Sequence, residues 1–318
     1  KLIKKIFLNQ KPEVNMFDSN YKFTCVDRFL KYVKYDTQSD EESTSFPSSE
    51  KQKILSKDLA EELKALGLKD AHMDEWGYVM ATLPSNTTKK VDPIAFIAHV
   101  DTSPAVTGKD VKPMIRKNYQ GGDIKLENGG WVISVNDNPD LKNMIGFDII
   151  TTDGSTLLGA DNKAGVSEIV DAVNYLLTHP EVKHGDIKIC FTPDEEVGRG
   201  TENIDLKKLG AKYGYTIDGS SRGELETETF SADAVVIKFF GKNIHPGYAK
   251  NIMVNSIKVA SYFIDNLPKG TLSPETTEGR EGYVHCGSFN GNEELTTLKF
   301  IIREYEKQRD EMIDITRQ

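Results

Sequence analysis

The spacing of apolar and polar residues predicts an α/β domain in the first two-thirds of the chain. Helical spacing of apolar residues predicts helices within residues 21–45, over 49–67 and over 163–180. Apolar runs bounded by turn residues predict strands over 77–84, 92–101, 186–196 and 212–219. Because helices and strands alternate, we expect an open, mostly parallel sheet with helices on both of its faces.

Residues at the ends of these segments set their expected boundaries. Ser48 or Ser49 could cap the second helix, and Gly67 is expected to end it. Pro180 stops the third helix. The last three of the predicted strands are apolar enough to be buried in the sheet.

The pattern changes after about residue 222. Segments follow in the order β-α-β-β-α, over 232–242, 251–268, 281–291, 294–304 and 303–318. This order predicts a smaller α+β domain with an antiparallel sheet. We therefore expect three parts, namely an N-terminal extension over 1–20, a larger domain over 21–222 and a second domain over 223–318.

Composition narrows the class of protein. The chain has 318 residues, of which 28% are charged and 38% hydrophobic, as is usual for a globular protein. A formal net charge of -9 argues against nucleic acid or an anionic membrane surface as partner. No apolar stretch is long enough to span a bilayer. Three widely separated cysteines (Cys25, Cys190 and Cys286) favour a reducing, cytoplasmic setting.

Two motifs near predicted strand and helix ends offer metal ligands. His99 and Asp101 end a strand, and a metal-binding imidazole usually gives its other N–H to a carboxylate or carbonyl. Asp161 lies between a glycine-containing turn and the helix from Lys163, where its two oxygens could bridge two metal ions. Ordinary loop positions for His99 and Asp101, and a helix cap for Asp161, are the alternative interpretations.

Three further carboxylates end apolar strands. Glu195 and Glu196 are adjacent, and like charges at the end of a buried strand are costly unless a cation compensates. Adjacent side chains point in different directions, so one can bind metal while the other deprotonates water. Asp218 ends another strand. A solvated acidic turn for the glutamates and an ordinary turn position for Asp218 are the alternatives. Asp194 is assigned no role.

Taken together, the motifs resemble the peptidase T family of bacterial tripeptide aminopeptidases. The resemblance rests on HVDTSP (99–104), LLGADNKAG (157–165), FTPDEEVGRG (191–200), IDG (217–219), KNIHPGYAKN (242–251) and PETTEGREGYVH (274–285). The last two segments look specific to peptidase T. The others are similar to a wider zinc peptidase family that includes carboxypeptidase G and the aminoacylases.

The resemblance implies a pair of zinc ions and their ligands. His99 and Asp218 would bind one ion, Glu196 the other, and Asp161 would bridge them. In this family the peptide between the residues that match Asp161 and Asn162 is typically cis. One histidine with several carboxylates would also suit cobalt or manganese.

The resemblance also implies catalytic roles and an assembly. Glu195 would be the general base, Asp101 would orient His99, and His245 would reach the substrate carbonyl from the second domain. The larger domain would be catalytic, the second would be a lid, and two chains could pair through that lid. The substrate would be a small peptide.

In one respect the chain departs from the family. Peptidase T chains continue beyond this end and supply a last zinc-binding histidine there, so the second metal position keeps only Asp161 and Glu196. If this is the whole polypeptide, we expect weak binding at that position and little activity. A related dipeptidase, carboxypeptidase or N-acyl amino acid deacylase, or a truncated non-catalytic metal-binding chain, are the alternative functions.

Overall fold

A computed structural model of the chain describes Asp18, residues 20–219 and residues 224–304. The chain divides into two compact units, residues 1–222 and 223–318. The predicted extension over 1–20 lies outside the described residues except for Asp18 and Asn20. Residues 305–318 of the predicted last helix also lie outside them.

The described part of the first unit alternates helices and strands. Its α-helices are α1 (Cys25–Tyr32), α2 (Gln52–Leu66), α3 (Ala160–Thr178) and α4 (Leu206–Leu209). Its strands are β1 (His72–Met73), β2 (Val79–Leu83), β3 (Ile94–His99), β4 (Pro113–Arg116), β5 (Ile124–Lys125), β6 (Val132–Ile133), β7 (Ile149–Thr152), β8 (Ile187–Thr192) and β9 (Tyr213–Thr216).

Five of these strands form the main sheet, in the order β1-β2-β8-β3-β9. Strands β8, β3 and β9 are parallel, whereas β1 and β2 join antiparallel at one edge. The predicted α/β class is confirmed, and the parallel part of the sheet comprises β8, β3 and β9. In the register between β3 and β8, His99 lies beside Thr192.

Helices cover both faces of this sheet, as predicted. On one face, Leu59 of α2 and Val166 of α3 pack with Phe191 of β8 in the largest apolar core. On the other face, Leu209 of α4 packs with Cys190 in a smaller core. Packing of helices on both faces of the sheet therefore fixes the positions of the carboxyl ends of the parallel strands.

Two expectations about individual segments are wrong. Strand β9 is exposed along its length, with Tyr213 54% exposed, because it is an edge strand whose only sheet neighbour within the described residues is β3. Helix α2 begins at Gln52 with Lys51 as its N-cap and no side-chain cap, so neither Ser48 nor Ser49 caps it. Its other end is as predicted, because Gly67 ends it at a left-handed φ of 113°.

Between β3 and α3, two small sheets form that the apolar pattern did not predict. Strand β4 pairs antiparallel with β7, and β5 pairs antiparallel with β6. These strands have two to four residues each, which is too short for periodicity to show.

The described part of the second unit is an antiparallel sheet with an α-helix on it. Its strands are β10 (Ser231–Phe240), β11 (Tyr283–Gly291) and β12 (Leu295–Glu304), and its helix is α5 (Ser256–Asp265). The strand order is β10-β12-β11, with both pairings antiparallel. Ala260 of α5 packs on Leu298 and Phe300 of β12. The predicted α+β fold of this part is confirmed over the described residues.

Among the helices of the described residues, none has the length and apolar character that crossing a membrane requires.

Candidate metal and active site

The candidate residues follow the three parallel strands of the main sheet. His99 ends β3, Glu195 and Glu196 follow the end of β8, and Asp218 follows the end of β9. Since β8, β3 and β9 are parallel neighbours, these residues share one edge of the sheet. Sites in open α/β sheets form at this edge.

His99 lies at the centre of the site, and its side chain is only 1% exposed. Its Nε2 is 2.8 Å from Oδ1 of Asp161, and its Nδ1 is 3.1 Å from the backbone carbonyl of Asp101. Burial alone would lower the pKa of His99, but hydrogen bonds with the carboxylates of Asp101 and Asp161 raise it to about 10. The ring therefore carries a proton at neutral pH when nothing else binds there.

Asp101 connects this histidine to the loop that follows β8. Its fully buried carboxylate accepts the N–H of Glu195 at 3.0 Å with Oδ1 and the N–H of Glu196 at 3.1 Å with Oδ2. Oδ1 also lies 3.3 Å from Nδ1 of His99. One carboxylate thus holds both the imidazole and the two glutamates in place.

Asp161 does not cap helix α3, although its position in the sequence allowed that interpretation. Gly159 is the N-cap residue and makes no side-chain cap hydrogen bond, and Asp161 has non-helical φ and ψ angles. The carboxylate of Asp161 instead contacts His99. The Asp161–Asn162 peptide bond is cis, in agreement with what the resemblance implied.

The start of α3 packs closely against the end of β9. A Cβ placed on Gly165 would lie 2.1 Å from the backbone oxygen of Ile217, a distance that no side chain can adopt. Only glycine allows this approach. It brings Asp161 at the start of the helix towards Asp218, the residue after Ile217.

The side chains at this edge form two overlapping groups of metal-binding atoms. His99, Asp161 and Glu196 form one group, and His99, Glu195 and Asp218 form the other, with the ligand atoms of each group within 4.8 Å of one another. One imidazole with several carboxylate oxygens is a donor set that suits a divalent cation such as zinc, cobalt or manganese. Each glutamate belongs to one of the groups, so the distances alone do not distinguish the role of Glu195 from that of Glu196.

The carboxylates repel one another. Partial burial, and then the charge of Asp161, raise the pKa of Glu196 to about 7. Partial burial is also the main cause that raises the pKa of Glu195 and that of Asp218. A cation among these groups would remove the repulsion, so the charge pattern agrees with the donor set. A cleft of about 440 Å³, lined in part by Asp161 and Asp218, adjoins them.

His245 lies in the second unit, in the loop that leads into a short 3-10 helix, Pro246–Tyr248. Its Nδ1 accepts the N–H of Gly247 at 3.1 Å. Its ring proton is therefore on Nε2 when the imidazole is neutral. Its role in the reaction stays a prediction.

The buried contacts that Asp194 makes were not apparent from the sequence. Its carboxylate is fully buried, and it accepts hydrogen bonds from Ser48 and Gln52. Asp194 and Gln52 are separated by 142 residues along the chain. No local pattern shows such a contact.

Comparisons with known proteins match this chain to peptidases. Residues 227–316 match the peptidase dimerisation domain. Peptidase T of Geobacillus sp. (strain WCH70) is 53% identical over 291 residues, which are 91% of this chain and 71% of that one. Peptidase T of Alkaliphilus oremlandii is 55% identical over 289 residues, 90% of this chain and 70% of that one.

The fold is also similar to that of a solved structure, the aminopeptidase PepT from Bacillus cereus. The TM-score is 0.64 at 23% identity, and the match covers 92% of this chain and 69% of that one. At that identity the structure supports the fold alone. The sequence relatives, at more than half identity over nine-tenths of the chain, establish that this polypeptide belongs to the peptidase T family of peptide hydrolases.

Proposed function

We propose that this chain is a zinc-dependent tripeptide aminopeptidase, which hydrolyses the first peptide bond of a tripeptide and releases the N-terminal residue. The observation that carries the proposal is the convergence of four carboxylates (Asp161, Glu195, Glu196 and Asp218) around His99 at one sheet edge, in a chain of the peptidase T family.

The metal ligands are assigned to two positions. His99, Asp161 and Asp218 would hold one ion, and Asp161 and Glu196 the other, with Asp161 between them. When bound, such ions lower the pKa of a water molecule and polarise the scissile carbonyl. Nε2 of His99 lies 2.8 Å from Oδ1 of Asp161 and 3.7 Å from Oδ2 of Asp218, and Asp161 and Glu196 belong to one group of neighbouring ligand atoms, which supports the assignment.

Glu195 is assigned the proton transfer. Its raised pKa, caused mainly by partial burial, moves it towards the range in which a carboxylate accepts a proton from water and later returns it to an amine. Its Oε2 lies 3.7 Å from Nε2 of His99, at the centre of the site. Glu195 would therefore accept the proton of the attacking water and donate it to the leaving amine.

Two residues would assist. Asp101 fixes the orientation of His99 and the backbone of both glutamates through the hydrogen bonds described above. His245, whose Nδ1 accepts the Gly247 N–H, would use its Nε2–H to stabilise the oxyanion that forms on the substrate carbonyl.

The second unit would pair two copies of the chain. Its match to the peptidase dimerisation domain supports this assembly. Apolar side chains such as Val236 and Phe240 of β10 are 57% and 75% exposed, which is the kind of surface that an interface covers. Sedimentation of the protein as a monomer at micromolar concentration would contradict this pairing.

Hydrolysis assays test the activity. With zinc added, the wild-type chain should release the first residue of a free tripeptide faster than that of an N-acetylated tripeptide or of a dipeptide. Glu195→Gln should lower kcat by a factor of about 100 or more, as expected for loss of a general base. Glu181→Gln, at an exposed position outside the site, is the matched control and should retain full activity. Preference for the acetylated substrate, or equal rates in the two variants, would contradict the proposal.

A further inference from the structure

Asp194 is a buried carboxylate immediately before the two glutamates, and its environment is unusual. Its side chain is fully buried, and its φ of +55° is in the left-handed region that non-glycine residues seldom adopt. Among the described residues, no lysine or arginine lies within ion-pair distance of its carboxylate. Burying an unpaired charge is costly unless hydrogen bonds compensate.

Those hydrogen bonds come from the segment that leads into helix α2. The N–H of Ser48 donates to Oδ2 of Asp194 at 2.6 Å, and the Ser48 hydroxyl donates to Oδ1. Nε2 of Gln52 also donates to Oδ1, at 2.6 Å. Three donors therefore satisfy the carboxylate, at the N-terminal end of a 15-residue helix where negative charge is favoured.

The contact with Gln52 is reciprocal. Its Oε1 accepts the backbone N–H of Asp194 at 3.1 Å, while its Nε2 donates to the carboxylate of the same residue. One fully buried side chain thus holds both the backbone and the side chain of Asp194. A pair bonded in two places fixes a direction as well as a position.

The next two residues are held by a different carboxylate, that of Asp101. The N–H groups of Glu195 and Glu196 donate to the carboxylate of Asp101, so three consecutive backbone N–H groups are anchored, the first by Gln52 and the next two by Asp101. The loop is closed by the N–H of Arg199, which donates to the carbonyl of Asp194 at 2.9 Å. The positions of the two glutamates therefore depend on two separate anchors, Asp101 and the pair of Gln52 with Asp194.

We propose that Gln52 and Asp194 are positioning residues, which turn the chain after β8 so that Glu195 and Glu196 face His99. This inference rests on the proposed function for its consequence in catalysis, but the geometry concerns the loop alone. Stability by itself does not explain the pair, since apolar residues of similar volume stabilise a buried site as well as polar ones do.

The pair can be tested by exchanging its donor and acceptor. Gln52→Glu places two carboxylates against each other, and Asp194→Asn leaves one amide N–H facing another donor. Combining the two substitutions restores a donor opposite an acceptor at both contacts. If the pair positions the loop, each single variant should be impaired and the double variant should recover.

Two measurements report on positioning. In the metal-free protein, amide hydrogen exchange at Glu195 and Glu196 should be about tenfold faster or more in each single variant and return towards the wild-type rate in the double variant. In the zinc-loaded protein, kcat on a tripeptide should fall by between about 10-fold and 100-fold in the single variants with KM changed by less than about twofold. The exchange measurement is informative even if the wild-type chain does not hydrolyse tripeptides.

Asp171→Asn provides the control for a general loss of stability. Asp171 is also a buried carboxylate, which accepts the N–H of Thr24 at 2.9 Å, and it lies eight residues beyond Lys163 along the regular part of α3, a rise of about 12 Å. This variant should lower the unfolding temperature without changing exchange at the glutamates. Should a single variant of the pair not fold, Ser48→Ala removes one hydroxyl contact and should still raise that exchange.

The inference is overturned by either of two results. One is wild-type exchange and kcat in the folded single variants or in Ser48→Ala. The other is a folded double variant that stays as impaired as the single variants, since the effects would then reflect the individual substitutions rather than the pair.

Discussion

Nε2 of His99 lies 2.8 Å from Oδ1 of Asp161, on a ring that is almost completely buried. That geometry holds a proton between the two side chains, because the carboxylate contacts raise the pKa of the imidazole to about 10. The proton occupies the position on His99 where a metal ion would bind. Metal and proton therefore compete for the same nitrogen atom.

We expect zinc binding at pH 7 to release at least one proton. His99 is protonated at that pH, and Glu196, with a pKa of about 7, is partly protonated. The apparent affinity should consequently rise by about tenfold per pH unit for each proton released. Calorimetry in buffers of different ionisation enthalpy measures the number of protons. His179→Asn, outside the site, should release as many as the wild type, whereas a binding heat independent of buffer would contradict the expectation.

Asp101→Asn should weaken metal binding or catalysis while leaving the fold intact. The carboxylate accepts two backbone N–H groups with two different oxygens, so an amide must present its own N–H to one of those donors. We expect zinc affinity or kcat/KM to fall by about 10-fold to 100-fold, as for other residues that orient metal ligands. Zinc titration and a tripeptide assay measure these quantities.

A surface aspartate serves as the control for Asp101. Asp92 pairs with Lys212 at 2.7 Å, with both side chains more than half exposed, and such pairs contribute little. Asp92→Asn should leave zinc affinity and kcat/KM within about twofold of the wild type. A wild-type zinc affinity and rate in Asp101→Asn would show that the contacts of Asp101 with the backbone of Glu195 and Glu196 are not needed for metal binding or hydrolysis.

Stability should depend on pH through Glu62. Burial would raise the pKa of this carboxyl group, but hydrogen bonds from Arg28 and Tyr32 outweigh it and lower the pKa below the ordinary value of 4.5. A lowered folded-state pKa contributes stability above the unfolded value, and that contribution is lost as pH falls through the folded one. Hence the wild type should exceed Glu62→Gln in free energy of unfolding at pH 7, and the difference should shrink below about pH 4.5. Urea titrations across this range would reveal it, and a difference constant with pH would exclude the mechanism.

Much of the site could be predicted because its residues follow strongly apolar strands. The runs that end at His99 and before Glu195 form β3 and β8, and they lie next to each other in parallel. Neighbouring parallel strands place their following residues at one edge, so the strand pattern alone brings these side chains together. The strand pattern does not predict the direction in which each carboxylate points.

The contacts that hold those carboxylates could not be predicted, since they join distant parts of the chain. Local sequence allowed Ser48 or Ser49 to cap α2, yet the hydroxyl and N–H of Ser48 donate to Asp194, 146 residues further along. Similarly, local sequence favoured a helix cap for Asp161, whereas its carboxylate contacts His99. Local propensity gives the polar residue, and tertiary packing decides its partner. The exposure of β9 could not be predicted either, because the arrangement of the whole sheet decides which strand lies at its edge.

Gly165→Ala should damage the site through the backbone rather than through a side chain. The added Cβ would lie 2.1 Å from the carbonyl oxygen of Ile217, so α3 and the end of β9 must separate. We expect a loss of about 1–3 kcal/mol or more in the free energy of unfolding, as for other forced contacts in packed regions. Because Asp218 follows Ile217 directly, zinc affinity should fall as well. Gly219→Ala is the matched control, since a Cβ there meets no atom of the described residues within 4 Å and its φ is not in the left-handed region. Urea titration and zinc titration of both variants test the prediction, and equal stability and affinity in the two would show that the close approach at Gly165 is not needed.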